Sequence, residues 1–416
     1  MEEWKEYRLG DICTKIGSGA TPKGGKEAYL GGNTSLIRSQ NVLDFSFSWD
    51  GLAYIDDEQA AKLNGVIIES GDVLLNITGD SVARSCVVPE SALPARVNQH
   101  VLIVRGEESI VLNDYILYFL QYKKPYLLSL SQGGATRNAL TKGMIEDLLI
   151  PLPSLSKQAE IVRVLKSLDD KIELNKRIND NLEQQAQALF MSWFVDFEPF
   201  KNGEFVESEL GMIPKGWRVC RADEVFDINI GKTPPRKEPE WFTKNTSDNI
   251  WVSIADMGSC GMFVSESSEY LTNEAINRFN ILMVDEGSVL LSFKLTVGRV
   301  AIADTRLTTN EAIARFQLPR SYYREFLYLY LKQYKYGNLG STSSIATAVN
   351  SKTIKGMKLI TPPEEVISCF SKHTKPLFDK IKVLSQESRR LAELRDTLLP
   401  KLMSGELKVN EIEDVL

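Results

Sequence analysis

This chain repeats itself, and nothing else in the sequence constrains its fold as strongly. Trp4-Lys5-Glu6-Tyr7-Arg8 is echoed by Trp217-Arg218-Val219-Cys220-Arg221, and Gly19-Ala20-Thr21-Pro22 by Gly231-Lys232-Thr233-Pro234. Gly71-Asp72-Val73-Leu74-Leu75 returns as Gly287-Ser288-Val289-Leu290-Leu291, and Asn98-Gln99-His100-Val101 as Asn310-Glu311-Ala312-Ile313. Leu149-Ile150-Pro151-Leu152-Pro153 returns as Leu359-Ile360-Thr361-Pro362-Pro363. The five matches keep their order at offsets of 213, 212, 216, 212 and 210 residues. Solenoid repeats run ~20–50 residues, so a period this long means duplicated domains.

Within each copy the pattern is mixed. Val66-Ile67-Ile68 and Val73-Leu74-Leu75-Asn76-Ile77 read as strands around the turn Glu69-Ser70-Gly71-Asp72, and Val101-Leu102-Ile103-Val104 reads as another. Asn113-Asp114 predicts the cap of a helix through Tyr115–Leu120, matched by Phe326–Leu331. Each copy is thus an α/β (α+β) unit, and each is followed by a long helix. No proline or glycine occurs between Pro153 and Pro199, which predicts a helix over 156–194. Steps of three and four give the seam Leu165, Leu168, Ile172, Asn175, Asn179, Leu182, Ala186, Leu189, Trp193. The second copy gives Thr374, Leu377, Ile381, Leu384, Ser388, Leu391, Arg395, Leu398, Leu402, with Pro376 expected to kink or delay its start. Two such seams should pair as an antiparallel coiled coil, preserving an approximate two-fold, with Asn175 and Asn179 fixing register. The alternative is that each helix packs on its own domain. The expected domains are 1–153 and 201–361, alternating with helical spacers at 154–200 and 362–416.

Composition narrows function. Lys and Arg total 49 against 55 Asp and Glu, a formal charge of −6. Residues 1–153 hold 14 basic and 19 acidic groups, and 195–361 hold 20 of each. A whole-molecule basic field is excluded, so any nucleic-acid contact must come from local patches and from a partner's cationic surface. Only two histidines exist, His100 and His373, which argues against histidine metal sites. Five scattered cysteines without a C-x-x-C spacing predict a reducing, cytoplasmic setting. The polar opening Met1–Glu6 is not a signal peptide, and no apolar run approaches the ~20 residues of a membrane span.

The chain carries no recognisable catalytic motif. Ala20–Glu27 lacks the first glycine and the closing Ser/Thr of a phosphate loop, and no G-x-G-x-x-G, G-x-S-x-G or H-E-x-x-H is present. No enzyme activity, metal or cofactor is expected in this chain. What remains is a set of polar loop residues in matched positions. In the first copy these are Thr21, Lys23, Arg38, Gln40, Asn41, Arg84, Asn98, Gln99, Arg137 and Asn138. In the second they are Lys232, Thr233, Arg236, Lys237, Ser253, Lys294, Arg299, Asn310, Ser341 and Thr342. Arg and Lys suit guanine edges, Asn and Gln suit adenine edges, and hydroxyls suit phosphates. Asn and Thr beside glycine also simply make turns.

The arrangement resembles the DNA specificity subunit of type I restriction-modification systems. The resemblance rests on Trp4–Ile12, on Gly133-Gly134-Ala135-Thr136-Arg137-Asn138-Ala139-Leu140-Thr141-Lys142, on Leu149–Pro153 leading into the helix, and on the tail Leu399-Pro400-Lys401-Leu402-Met403-Ser404-Gly405-Glu406-Leu407. The chain departs from the family's Pro-Pro-Leu-x-Glu-Gln at Pro153–Gln158 and Pro363–Val366. The resemblance implies that each repeat reads half of a bipartite site on double-stranded DNA. The helices would set the spacing and dock two methyltransferase subunits. S-adenosylmethionine, ATP and magnesium would belong to those partners and to motor-nuclease subunits. Two other readings stay open: a non-catalytic scaffold binding protein or carbohydrate, and an alternative specificity subunit without an associated nuclease.

Overall fold

The computed structural model describes residues 4–22, 29, 31–132, 139–339 and 349–412. The chain divides into two compact units, Met1–Glu173 with Arg389–Leu416, and Leu174–Ser388.

In the first unit, Lys5–Arg8 pairs antiparallel with Leu149–Leu152, Lys5 opposite Leu152 and Arg8 opposite Leu149, so the opening and closing motifs of the repeat zip together. An antiparallel sheet follows in the order Cys13–Ser18, Val101–Gly106, Val73–Asn76, Ser85–Val87. Its central strand Val73–Asn76 is buried on both faces, as its unbroken aliphatic run requires. One face packs on the helix Asn113–Tyr122 through Tyr115, Ile116, Phe119 and Leu120. The other meets a second sheet, Ala53–Ile55, Thr34–Ile37, Ala95–Val97, whose last two strands run parallel.

The second unit repeats this plan. Arg218–Arg221 pairs with Lys358–Thr361. The larger sheet runs Asp227–Ile230, Ile313–Gln317, Val289–Ser292, Val300–Ala303, Phe263–Val264. The smaller sheet places Asn249–Val252 parallel to Thr308–Thr309. Helix Tyr323–Gln333 takes the place of Asn113–Tyr122. A hairpin, Phe205–Ser208 with Gly211–Pro214, is specific to the second copy among the described residues.

The first long helix runs Leu155–Phe190 and closes in a π-helical turn, Met191–Val195. The second runs Glu364–Met403 without interruption at Pro376, so the expected delay does not occur. Each unit holds one stretch of each helix. In the first, Leu165, Leu168, Leu391 and Leu398 join the core beside Leu402, with Ile172 half-buried, and Arg395 bonds Asp169 at 2.7 Å. In the second, Leu182, Leu189, Leu377 and Ile381 pack together, and Leu384 is buried. There the Asn175 amide donates to Glu387 and Ser388 at 2.9 and 3.3 Å, and Asn179 donates to Ser385 at 3.2 Å. Ascending numbers on one helix meet descending numbers on the other, which is antiparallel pairing with both asparagines as its polar pins.

Two local expectations are corrected. Val66-Ile67-Ile68 is not a strand: Asn64–Val66 forms a 3₁₀ turn and Ile67 makes a single bridge to Arg96. Asn113 does not cap its helix; its side chain accepts from the Gly106 amide at 2.7 Å, tying helix to sheet.

Candidate nucleic-acid interface

In both units the predicted loops converge where the two parallel strands of the small sheet end. In the first, Gly19 N–H donates to Asn98 O at 3.1 Å and Asn98 N–H to Ile37 O at 3.1 Å, joining the loops after Ser18, Ile37 and Val97. A Cβ on Gly19 would lie 1.7 Å from the Val97 carbonyl, so only glycine permits this approach. Ile77 N–H donates to His100 O, which brings in the 78–84 loop carrying Arg84. The second unit repeats the junction through Lys232 N–H to Thr309 O at 2.9 Å, Asn310 N–H to Val252 O at 3.0 Å, and Phe293 N–H to Ala312 O at 2.9 Å.

The candidates divide by what their side chains do. Asn98 and Asn310 are turn-formers: their carboxamide oxygens accept from His100 and Ala312 N–H at 2.9 and 3.0 Å. Asn41 is fully buried, accepting from Arg38 N–H and donating to Ser48 and Asp50 carbonyls. Ser253 is held by Asp256 through both its amide and its hydroxyl. These four shape the loops, and their polar groups are engaged inside the protein. His100 shares a 2.6 Å hydrogen bond with Thr78, as a structural side chain should.

The others reach the surface. Thr21 donates to Gln99 Oε1, and Thr233 donates to Glu311 Oε2, the same clasp in both copies. Glu311 was outside the sequence-based set, although its alignment with Gln99 marks it. Gln40 is exposed and donates to the Asp50 carbonyl, while Arg38 bonds Gly51 O beside Tyr29. Arg236 pairs with Glu269 at 2.8 Å and lies 4.2 and 4.7 Å from the ring centres of Phe242 and Trp251. Lys232 caps the Phe279 and Asn280 carbonyls, and Arg299 bonds Ile254 O. Lys237 and Lys294 are exposed and Arg84 half-buried, with no side-chain hydrogen bond among the described residues. Lys23, Arg137, Asn138, Ser341 and Thr342 lie outside the described residues.

Among the described residues this surface offers amides, hydroxyls, a carboxylate and cations, and no assembled nucleophile. The thiols of Cys13 and Cys86 are pushed up to about 12 by burial, and that of Cys260 to about 11, so they stay protonated near neutral pH. Among the described residues no cluster could hold a metal ion, and no helix is long and apolar enough to cross a membrane.

Comparison with known proteins fits this architecture. The MjaIX type I restriction enzyme specificity subunit of Methanocaldococcus jannaschii is 29% identical over 427 aligned residues, covering 99% of this chain and 95% of its own. The HindI specificity subunit of Haemophilus influenzae is 27% identical over 476, covering 98% and 100%. A crystal structure of a type I restriction-modification S subunit from M. genitalium shares the fold at a TM-score of 0.54, with 12% identity over 96% of each chain. The family model for the type I restriction modification DNA specificity domain matches residues 1–184 and again 214–381, so the chain belongs to that family, with its domain present twice.

Proposed function

We propose that this chain is the sequence-reading, non-catalytic subunit of a cytoplasmic type I restriction-modification complex. The domain at 1–153 reads one half of a bipartite DNA site and the domain at 201–361 reads the other. The paired helices set the gap between the halves and dock two methyltransferase subunits. S-adenosylmethionine sits on those subunits, and ATP and magnesium on motor-nuclease subunits that join the complex. The observation that carries this reading is the duplicated loop junction, with Thr21 and Thr233, Arg84 and Arg299, and Asn98 and Asn310 in matched places. The shared framework carries unlike side chains beside these pairs, Gln99 against Glu311, and that is what reading two different half-sites requires.

Direct base contact falls to Gln40, Arg84 and Gln99 in the first copy and Lys237, Lys294 and Glu311 in the second. Arginine and lysine suit guanine, glutamine suits adenine, and glutamate accepts from cytosine. Because neither domain is basic overall, the methyltransferase subunits supply much of the phosphate attraction.

Long-read mapping of methylated adenine, in cells with and without this gene, tests the reading. A bipartite motif should vanish without the gene, and exchanging residues 1–153 for those of a relative should change one half of it. Loss of no motif, or a change in both halves, refutes it. Inserting whole heptads into both helices should widen the unread gap and leave the half-sites intact.

A further inference from the structure

We propose that Leu295 is a wedge that enters the DNA and unstacks a base step in the half-site met by the second unit, an inference that rests on the DNA-reading function above. Leu295 is 97% exposed, the most exposed large apolar side chain among the described residues. Scattered exposed leucines are ordinary on protein surfaces; this one is also held in a costly backbone conformation. Its φ is +59°, and Thr296 N–H donates to Lys294 O at 2.7 Å, closing a tight three-residue turn that puts the leucine at the tip. Strain of this kind persists only where the surroundings fix it, and it clusters at functional sites.

The surroundings do fix it. Ser292, at the end of the strand Val289–Ser292, accepts from Arg299 N–H at 3.0 Å and donates its hydroxyl to Thr296 O at 2.6 Å. Gly298 N–H donates to Ser292 O at 3.0 Å, and the Tyr336 ring lies 3.1 Å from where a Cβ on Gly298 would be. Phe293 N–H to Ala312 O fastens this stem to the Asn310 turn, so the tip rises from the candidate DNA surface. Lys294 stands next to it, exposed, its ammonium 5.7 Å from the Phe293 ring and without a side-chain hydrogen bond among the described residues. A rigid stem bearing an aliphatic tip and an adjacent cation is how DNA-bending proteins part a base step, the cation taking the phosphate. The corresponding loop of the first unit carries Gly79-Asp80-Ser81, a 3₁₀ turn with no apolar residue at its tip, and Val82 behind it is buried. Distortion is therefore confined to one half of the site.

The test uses the full chain assembled with its methyltransferase subunits, on duplexes carrying the mapped motif with 2-aminopurine placed at each position in turn. Target adenines extruded by the methyltransferases brighten in both halves whatever residue 295 is. With leucine at 295, one additional step in the half assigned to the second unit should brighten several-fold. Leu295→Ala and Leu295→Asn should return that step to the level of free duplex, and Leu295→Met should keep it bright. An additional signal that survives Leu295→Ala, or its absence with the unaltered chain, overturns the wedge. A mobility shift on the same duplexes separates this from failure of the DNA reading, which would show as no motif-specific complex at all. Residue 295 is solvent-exposed, and replacing it leaves every core contact in place.

Discussion

The hydroxyls of Tyr118 and Tyr328 each donate to a carboxylate, Asp169 at 2.7 Å in the first unit and Glu183 at 2.9 Å in the second, but Arg395 closes on Asp169 in the first, whereas the second sets Tyr328 edge-on to Phe378, centroids 5.5 Å apart, and fully buries Ala186. The repeat offset of the helices places Phe378 on Asp169 and Ala186 on Arg395. A second exchange lies in the large sheet. Arg105 grips Asp72 at 2.6 and 2.7 Å in the first unit; Gln317 and Ser288 stand at those strand positions in the second. Two residues along the same strand, buried Ile103 is replaced by Arg315, whose guanidinium, among the described residues, reaches the carbonyls of Leu282 and Ile230 and leaves its Nε without a partner. Asp72 holds Arg105 above its ordinary pKa, whereas burial pulls Arg315 below it. Both units hold ion pairs on buried carboxylates, Arg105 with Asp72 in the first, Arg324 with Glu325 and Lys382 with Asp304 in the second. The second adds a ring cluster in which Phe194 touches Phe190, Trp217, Phe326 and Phe370 at 4.8–5.8 Å. A duplicated backbone thus preserves strand register and turns, and leaves the polar contacts free to diverge.

This contrast can be broken by mutation. Phe194→Ala should cost about 3–5 kcal/mol, and Arg395→Ala about 3 kcal/mol by stranding a buried carboxylate. Hydrogen exchange should report the first loss among amides of 174–388 and the second among those of 1–173. Replacing both Asp169 and Arg395 by leucine should restore stability to within about 1 kcal/mol, since a well-packed apolar pair often matches a buried ion pair; a double variant as weak as the single would show that the pair is net stabilising. Asp72→Ala should cost about 2 kcal/mol through the lost charged hydrogen bonds of Arg105, while Ser288→Ala should be near neutral.

The smallest effect is a pH drift. Burial holds the Asp169 carboxyl above its ordinary range, against the opposing pulls of Arg395 and Tyr118. A folded-state pKa above the unfolded one means that this group contributes most below about 3.9 and loses that contribution as pH rises through the folded value. Urea midpoints from pH 7 down to about 4 should therefore move in favour of the unaltered chain relative to Asp169→Asn. Movement the other way would mean that the ion pair dominates over burial.

Much of the architecture was readable in the sequence, because it rests on periodicity. The long helices follow from heptads uninterrupted by glycine or proline, and Asn175 and Asn179 met hydroxyl partners because an apolar seam leaves few other places for an amide. Pro376 does not delay its helix: the missing N–H and ring constrain one turn, and a helix of this length, packed along its seam, absorbs that cost. Loop chemistry was less legible. Asn41, Asn98 and Asn310 have the residue type of base readers and the geometry of turns, and only the folded loop distinguishes the two. Leu295 is invisible as a surface feature because a leucine between strands reads as core. Glu311 carries no base-reading signal in the sequence, because a carboxylate is repelled by phosphate; only the duplicated threonine clasp marks it.

One division of the chain has a consequence for its biosynthesis. The second unit is a continuous segment, Leu174–Ser388, whereas the first needs Leu398, Leu399, Leu402 and Met403 to finish its core. On the ribosome the later-made unit can close before the earlier one. At roughly 5–20 residues per second, the nascent first unit waits tens of seconds with the flank of Tyr115, Leu165 and Leu168 uncovered, and chaperone capture should fall on that interval.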